Sequence, residues 1–353
     1  MHLSGRTLAR RRSASEPAEH DYEGVSSLAG ELLGETAVRR WVVRVFPIVI
    51  VDEFQDSKGG QLAMIAALSS SATCIAAADD FQDLDSVGVN PAVGWARSNG
   101  ECENLSDVHR TSARGLLEAS RAVREGRDVP DNGRGFIALG APNHNVGASF
   151  VSKNLSWWNS CADIAVLTPV RSSNSTFVRD LIARVEAGPI GSNPPMGPHR
   201  VPWEESYEEE GDKFIHGLDL PNDPKAEICC NGFSFGDGGG PLQGLRNWMD
   251  RQVRVAGRTR FTVEEIRSEA RRAHQRSRAY HRVRDGGVRA MTIHQAKNRE
   301  FHSILVLWPY EVGGTIERQR RLLYNAITRA KHRVLVVVQN RNRLAQPPFV
   351  AGT

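Results

Sequence analysis

The amino-acid sequence predicts an α/β protein. Residues 48–51 form a short, wholly apolar, β-branched run, which is typical of a parallel strand covered on both faces. This run ends in acidic residues, and a second apolar run at residues 72–77 ends in the same way. The Ala- and Leu-rich residues 61–68 between them have a helical pattern. Strand, helix and strand in this order predict a parallel sheet whose ligands lie beyond the carboxyl ends of its strands.

The remaining elements suggest two domains. Helical spacing indicates helices at residues 22–35 and 37–46, the second of which ends at Pro47. The pattern restarts after Asn99-Gly100, so we expect a first domain at 1–100 and a second at 101–353. The second domain is expected to contain helices at 109–123, 176–186 and 318–328, and strands at 164–167, 288–293, 304–308 and 333–338.

An insertion is expected within the second domain at about residues 188–284. Residues 188–225 are rich in Pro and Gly and carry a cluster of glutamates, which predicts a long surface segment. Residues 261–284 read as a very basic helix, opened by a capping box between Thr262 and Glu265. Its arginines either follow a phosphate backbone or form a solvated helical face.

Composition narrows the class of protein. The 353 residues are 40% hydrophobic and 24% charged, as in globular proteins, and no apolar run approaches the length of a membrane span. The Arg-rich start is not followed by an apolar segment, so we expect no export signal. Five cysteines form no C-x-x-C pair, which predicts neither a zinc site nor a disulfide framework. We therefore expect a cytoplasmic protein with no membrane association.

The basic residues are nearly all arginine. The net charge is +4, and the sequence has only six lysines. Arginine pairs bidentately with phosphate, so phosphate-bearing partners are one interpretation, and a compositional bias of the genome is the other. Charge alone leaves both open.

A carboxylate pair follows the first predicted strand. Asp52 and Glu53 suit nucleotide hydrolysis, because Mg²⁺ prefers hard oxygen ligands and an attacking water needs an acceptor that orients it. An acidic pair after an apolar strand also arises by chance. Its meaning therefore depends on the other motifs of the chain.

Five segments together give a more specific signal. They are DEFQD at 52–56, DDFQ at 79–82, VHRT at 108–111, TIHQAKNREF at 292–301 and LYNAITRAK at 323–331. In this order they resemble the boxes of UvrD/Rep-like superfamily 1 DNA helicases. The resemblance implies RecA-like parallel sheets of the P-loop NTPase class. It also implies ATP and Mg²⁺ as cofactors.

The resemblance assigns roles in the first domain residue by residue. Asp52 would bind Mg²⁺, and Glu53 would be catalytic. Asp79 would help to bind the nucleotide. Gln82 matches the glutamine that senses the terminal phosphate and couples ATP to DNA. The carboxyl ends of the first two strands would therefore form the catalytic edge.

The resemblance also assigns roles in the second domain. Arg110 matches an arginine that reaches the terminal phosphate, and Arg329 matches an arginine finger. Thr292 and His294 match residues that touch the DNA backbone. Glu300 matches a glutamate that binds the nucleotide ribose. By resemblance, ATP draws the two domains together and drives 3′ to 5′ movement along single-stranded DNA and into duplex junctions.

The sequence departs from this family at the phosphate-binding loop. The family has G-x-x-x-x-G-K-[ST], whereas no lysine here follows a glycine. We therefore expect a truncated first RecA-like domain beside a complete second one, and no activity of this chain alone. Two alternatives remain: a DNA-binding or interaction module without catalysis, and half of a split helicase completed by a second polypeptide that supplies the loop.

Three smaller features of the sequence can be interpreted only with a structure. Ala78 and Asn298 stand where the family has glycine, and Asn tolerates positive φ better than most residues. Trp157-Trp158 either stacks on bases or belongs to the core, and the core is the more frequent outcome for such a pair.

Overall fold

The computed structural model describes residues 22–86, 88–105, 111–130, 132–158, 163–171, 174–191, 194–204, 207–230, 240–281 and 287–352. The chain forms two compact units, Met1–Asp107 and Val108–Thr353, and both mix helices with strands. None of the helices in the described ranges has the length and apolarity that crossing a membrane requires.

The part of unit 1 that the structure describes contains two parallel strands and four helices. The elements are α1 (Tyr22–Gly34), α2 (Thr36–Val45), β1 (Ile48–Val51), α3 (Gly59–Ser69), β2 (Thr73–Ala76) and α4 (Pro91–Asn99). β1 pairs with β2 in parallel, from Ile48 opposite Thr73 to Val51 opposite Ala76. Helices α1 and α3 cross closely at Gly60, where an added Cβ would lie 2.3 Å from the Ser27 nitrogen. The predicted strand–helix–strand order is confirmed.

The core of unit 1 lies on one face of β1. Phe54 and Ala92 are fully buried, and Val51 and Trp95 pack against them. Alternation along the strand places Ile48 and Ile50 on the opposite face, where their exposed fractions are 59% and 73%. The expectation that this strand is covered on both faces is therefore wrong.

Unit 2 is built on a larger sheet. Its elements are α5 (Arg114–Glu125), β3 (Asn132–Gly133), β4 (Phe136–Ala141), α6 (His144–Trp158), β5 (Asp163–Thr168), α7 (Thr176–Ala187), α8 (Tyr207–His216), β6 (Glu227–Cys229), α9 (Pro241–Ala256), β7 (Arg260–Thr262), α10 (Val263–His281), β8 (Gly287–Thr292), β9 (Phe301–Trp308), α11 (Ile316–Thr328) and β10 (Ala330–Gln339). The strand order is β3-β4-β10-β9-β5-β8. The five strands other than β3 are parallel.

Both faces of this sheet are covered. Leu335 and Val337 on β10 pack with α6 and α7, and the alternate residues Val334 and Val336 face the other way, where α5 and α11 pack. All four side chains are buried. The apolar strands predicted in this part of the chain are confirmed, whereas β4 and α6 were not predicted.

The segment between α7 and β8 has a core of its own. Leu245, Phe261 and Ala270 are buried together where α9 and α10 pack. The capping box that opens α10 is confirmed, because the N–H of Thr262 donates to Glu265 and the N–H of Glu265 donates to Thr262 Oγ1. Residues 188–225 are less superficial than expected, since Val201 is buried in the main core of unit 2.

Candidate functional site

The predicted residues of unit 1 meet at one edge of its sheet. Asp52 and Glu53 follow β1, and Asp79 follows β2, so parallel pairing brings them to the same carboxyl edge. Buried Gln55 joins the two strand ends. Its amide nitrogen donates to Glu53 Oε2, and its amide oxygen accepts the N–H of Asp79 at 3.0 Å.

Gln82 belongs to the same cluster. Its amide nitrogen donates to Asp79 Oδ2 at 3.2 Å, and Asp79 Oδ1 accepts the N–H of Phe81 at 3.1 Å. A short 3₁₀ turn, Asp80–Gln82, holds this geometry. Four predicted site residues, Asp52, Glu53, Asp79 and Gln82, are therefore near neighbours.

Glu53 has a backbone conformation that is uncommon for its residue type. Its φ is 51° and its ψ is 45°, in the left-handed region, and its N–H donates to Asp52 Oδ1 at 2.9 Å. A non-glycine residue in this region stores conformational energy, and such residues cluster at functional sites. The turn aims the Glu53 carboxylate back toward Gln55.

A buried polar pair supports this cluster from behind. Asn90 Nδ2 donates to the Gln55 carbonyl at 2.8 Å and to Asp83 Oδ2 at 2.7 Å. Burial raises the pKa of Asp83, but hydrogen bonds from Ser86, Asn90 and the Asp85 N–H outweigh it and lower the pKa to about 2. Neither Asn90 nor Asp83 was predicted from the sequence as part of the site. Asn90 before Pro91 is a helix-start signal that could have revealed one of them.

Asp52 could serve as a magnesium ligand only if the phosphates of a bound nucleotide supplied further ligands. Among the described residues, no group of three or more His, Cys, Asp or Glu side chains is arranged to hold a metal. Mg²⁺, however, commonly takes one or two protein carboxylates together with substrate phosphates. The exposed carboxylate of Asp52 suits that role, and its Oδ1 already accepts one backbone hydrogen bond.

In unit 2, residues 292–301 cross from one edge of the sheet to the other. Thr292 ends β8 beside Thr168, at the carboxyl edge, and Phe301 begins β9 beside Ala330, at the amino edge. Thr292 and exposed His294 therefore lie at the carboxyl edge, and Glu300 lies at the amino edge. One segment thus places the predicted DNA contacts and the predicted ribose contact at opposite ends of the strands.

The start of this crossover, at the carboxyl edge of the sheet, is capped internally. The Thr292 N–H and Oγ1 both donate to Gln295 Oε1, at 2.8 and 3.0 Å, and the Gln295 N–H donates to Thr292 Oγ1 at 3.3 Å. Reciprocal bonds of this kind fix the turn that carries His294. Asn298 has a φ of 60°, so the expectation that Asn supports the tight turn is confirmed.

The amino edge gathers the predicted nucleotide contacts. Glu300 pairs with Lys331 at 3.2 Å, and Thr111 Oγ1 donates to the Lys331 carbonyl at 2.6 Å. The N–H of Phe301 donates to the carbonyl of Arg329, and Arg329 is only 2% exposed. Arg110, which precedes Thr111 in the sequence, lies outside the described residues.

The structure separates the alternatives that the sequence left open for the basic helix and for the Trp157-Trp158 pair. Four exposed arginines in and before α10 lie within ion-pairing distance of carboxylates: Arg258 with Glu265, Arg260 with Glu227, Arg271 with Asp212 and Arg272 with Glu269. This pattern favours a solvated helical face over a phosphate track. Trp158 is buried in the core, whereas Trp157 is exposed.

The match to a family model agrees with the later motifs. Residues 287–337 match the family model of the UvrD-like helicase C-terminal domain, so the resemblance is confirmed for the segment that holds Thr292, His294, Glu300 and Arg329. Among solved structures, the C-terminal domain of a possible DNA helicase from Lactobacillus plantarum WCFS1 is similar at 13% identity, covering 66% of this chain and 89% of that chain, with a TM-score of 0.33. No protein of curated function matches the sequence.

Proposed function

We propose that this chain, with its UvrD-like helicase C-terminal segment, is part of an ATP-driven motor that moves 3′ to 5′ on single-stranded DNA. A helicase-related role follows from the family match. The observation that carries the finer proposal is the crossover at residues 292–301, because it joins the DNA-side and nucleotide-side residues through a single short segment. We expect a displacement of this segment at one edge of the sheet to be transmitted to the other edge.

Each unit would contribute its own part of the chemistry. Mg²⁺ with ATP would supply the phosphoryl group and offset its charge, as in other phosphoryl transfers. In unit 1, Glu53 would orient the attacking water, Asp52 would hold the metal and Gln82 would report the terminal phosphate. In unit 2, Glu300 would hold the ribose, and Arg329 and Arg110 would stabilise charge. Thr292 and His294 would hold the DNA backbone.

The phosphate-binding loop would have to come from residues outside this sequence, on the same or another polypeptide. We therefore expect no DNA-stimulated ATPase above background from residues 1–353, because the lysine and amide cradle provides the main electrostatic stabilisation of this reaction. A steady-state assay with oligo(dT) measures it. Turnover that disappears in Glu53→Gln would mean that this sequence holds a phosphate site of another kind.

Binding of DNA tests the proposal without any need for catalysis. Fluorescence anisotropy with labelled oligo(dT) at low salt should show binding that prefers single strands over duplex and falls steeply with added salt. His294→Ala should weaken it about fivefold or more. His216→Ala removes another exposed histidine, on α8, and should leave the affinity unchanged. Equal affinities of both variants and the parent protein would refute the proposed DNA edge.

A further inference from the structure

A cavity of about 690 Å³ opens in unit 2 where β4 and β10 begin. It is lined by the start of α5, the turn before β4, the end of α6 and the residues that follow Lys331. Ile137, Val334 and Trp158 give it an apolar floor. A volume of this size is typical of small-molecule sites.

Every ionisable side chain among the described residues that line the cavity is basic. They are Arg114, Arg134, His332 and Arg333, and no carboxylate is found in this described lining. The guanidinium groups of the three arginines are exposed and form no ion pair or hydrogen bond with any described residue. This differs from α10, where Arg271, Arg272 and Arg276 pair with carboxylates. An anion is the natural complement of such a rim.

One further cation lies beside the cavity, whereas a nearby histidine adds no charge. The rings of His302 and His332 are 4.4 Å apart, and burial together with the charges of His332 and Arg333 lowers the pKa of His302, which favours its neutral form. The Lys153 ammonium lies 4.5 Å from the centre of the Trp157 ring. The exposed indole therefore lies beside one lysine and shares the cavity with three arginines.

Trp157 gives the cavity an aromatic surface. Its side chain is 66% exposed, although the adjacent Trp158 is buried in the core. A large indole left in solvent at the mouth of a cationic cavity is suited to stacking on a planar ring. Cations alone would select any phosphate, whereas the indole and the apolar floor select one that carries a base.

The wall of the cavity is rigid. The N–H of Gly115 donates to the Arg134 carbonyl at 2.9 Å, and an added Cβ on Gly115 would lie 2.6 Å from that oxygen. Gly135 has a φ of 95°, and its carbonyl accepts the N–H of Val334 at 2.7 Å. These contacts fix the start of α5 against the turn that carries Arg134.

We propose that this cavity binds a nucleotide, with the base on Trp157 and the apolar floor and the phosphate on Arg114, Arg134 and Arg333. The described lining includes no residue of the crossover at residues 292–301, although the cavity opens at the same amino edge as Glu300. It takes either a free mononucleotide or a nucleotide within single-stranded DNA, since both present the same base and phosphate. The inference does not depend on the motor function proposed above.

Quenching of tryptophan fluorescence tests the site directly. Thymidine 5′-monophosphate and oligo(dT) are the two probes. At least one of them should quench the parent protein, and Trp157→Phe should lose most of that quench. Trp41→Phe, which changes an equally exposed indole in unit 1, should keep it. Quenching by the mononucleotide identifies a free ligand, and quenching by oligo(dT) alone identifies DNA.

Charge variants keep the test independent of the indole. Arg333→Gln and Arg134→Gln should each lower the affinity about tenfold for the probe that quenches, as expected for a lost charge-assisted contact to phosphate. Arg251→Gln on α9 is the matched control and should change nothing.

The proposal fails if neither probe quenches, if Trp157→Phe keeps the full quench, or if inorganic phosphate competes as well as the nucleotide. It also fails if the Arg333 and Arg134 variants match the control. Loss of DNA binding in His294→Ala with the Trp157 quench intact would separate this site from the motor proposal.

Discussion

The sheets of the two units are built from similar sequences but are covered very differently. β1 reads Ile-Val-Ile-Val, and part of β10 reads Val-Leu-Val-Val-Val. In unit 2 every residue of that run is buried, because helices pack on both faces of a six-stranded sheet. In unit 1 the two-stranded sheet leaves Ile48 and Ile50 exposed. An apolar run thus predicts a strand, but its neighbours decide how much of it is buried.

The largest expected difference between the units is in backbone protection. Amides of Ile48–Val51 and Thr73–Ala76 should exchange at least about a hundredfold faster than those of β9 and β10, because thinly covered strands open locally. Hydrogen exchange followed by mass spectrometry compares all four strands in one experiment. Equal and strong protection would mean that the exposed face of unit 1 is covered in solution.

Side-chain truncation should sharpen the same contrast. Leu305→Ala should destabilise unit 2 by about 2–5 kcal/mol, since Leu305 is fully buried between helices and strands. Ile50→Ala should change the stability of unit 1 by less than about 0.5 kcal/mol, as for an exposed position. Urea unfolding followed by pulsed hydrogen exchange measures each unit separately. A comparable loss in both variants would contradict the burial difference.

Acid should weaken unit 1 through Asp83. Its folded-state pKa of about 2 lies below the ordinary value of about 4, so its stabilising contribution is present above pH 4 and is lost as the pH falls toward 2. The shift corresponds to about 2 kcal/mol. Asp83→Asn should remove most of this pH dependence from the unit 1 transition. Asp85→Asn, which changes an exposed carboxylate, should keep it.

The smallest expected effect is at Asn298. Because its φ is 60°, Asn298→Ala should cost unit 2 about 1 kcal/mol, whereas Asn298→Gly should be close to neutral. Urea midpoints of the two variants measure the difference. If the alanine variant is as stable as the glycine variant, the left-handed turn is not under strain.

Local patterns in the sequence predicted much of this molecule. The strands of unit 2, the α10 capping box and the left-handed Asn298 all depend on a few neighbouring residues, which a single sequence contains. Gln55 and Asp83 could not be found in the same way. Their partners lie up to 35 positions away, and only the parallel pairing of β1 and β2 with the placement of Asn90 brings them together.

The candidate site shows the same limit. Motifs placed Asp52, Glu53, Asp79 and Gln82 correctly at one sheet edge, because parallel strands share an edge. They gave no sign that Thr292 and Glu300 lie at opposite edges, or that Trp157 and Trp158 separate into surface and core. Those outcomes depend on the register of β8, β5 and β9 and on how α6 packs.

Photo-crosslinking tests the central claim most directly, namely that DNA lies at the carboxyl edge of the unit 2 sheet. Oligo(dT) carrying 4-thiothymidine would be irradiated with the whole chain, and the linked peptides would be identified by mass spectrometry. We expect crosslinks at residues 292–294, with or without a second set at Trp157. Crosslinks confined to α10 or to unit 1 would contradict it.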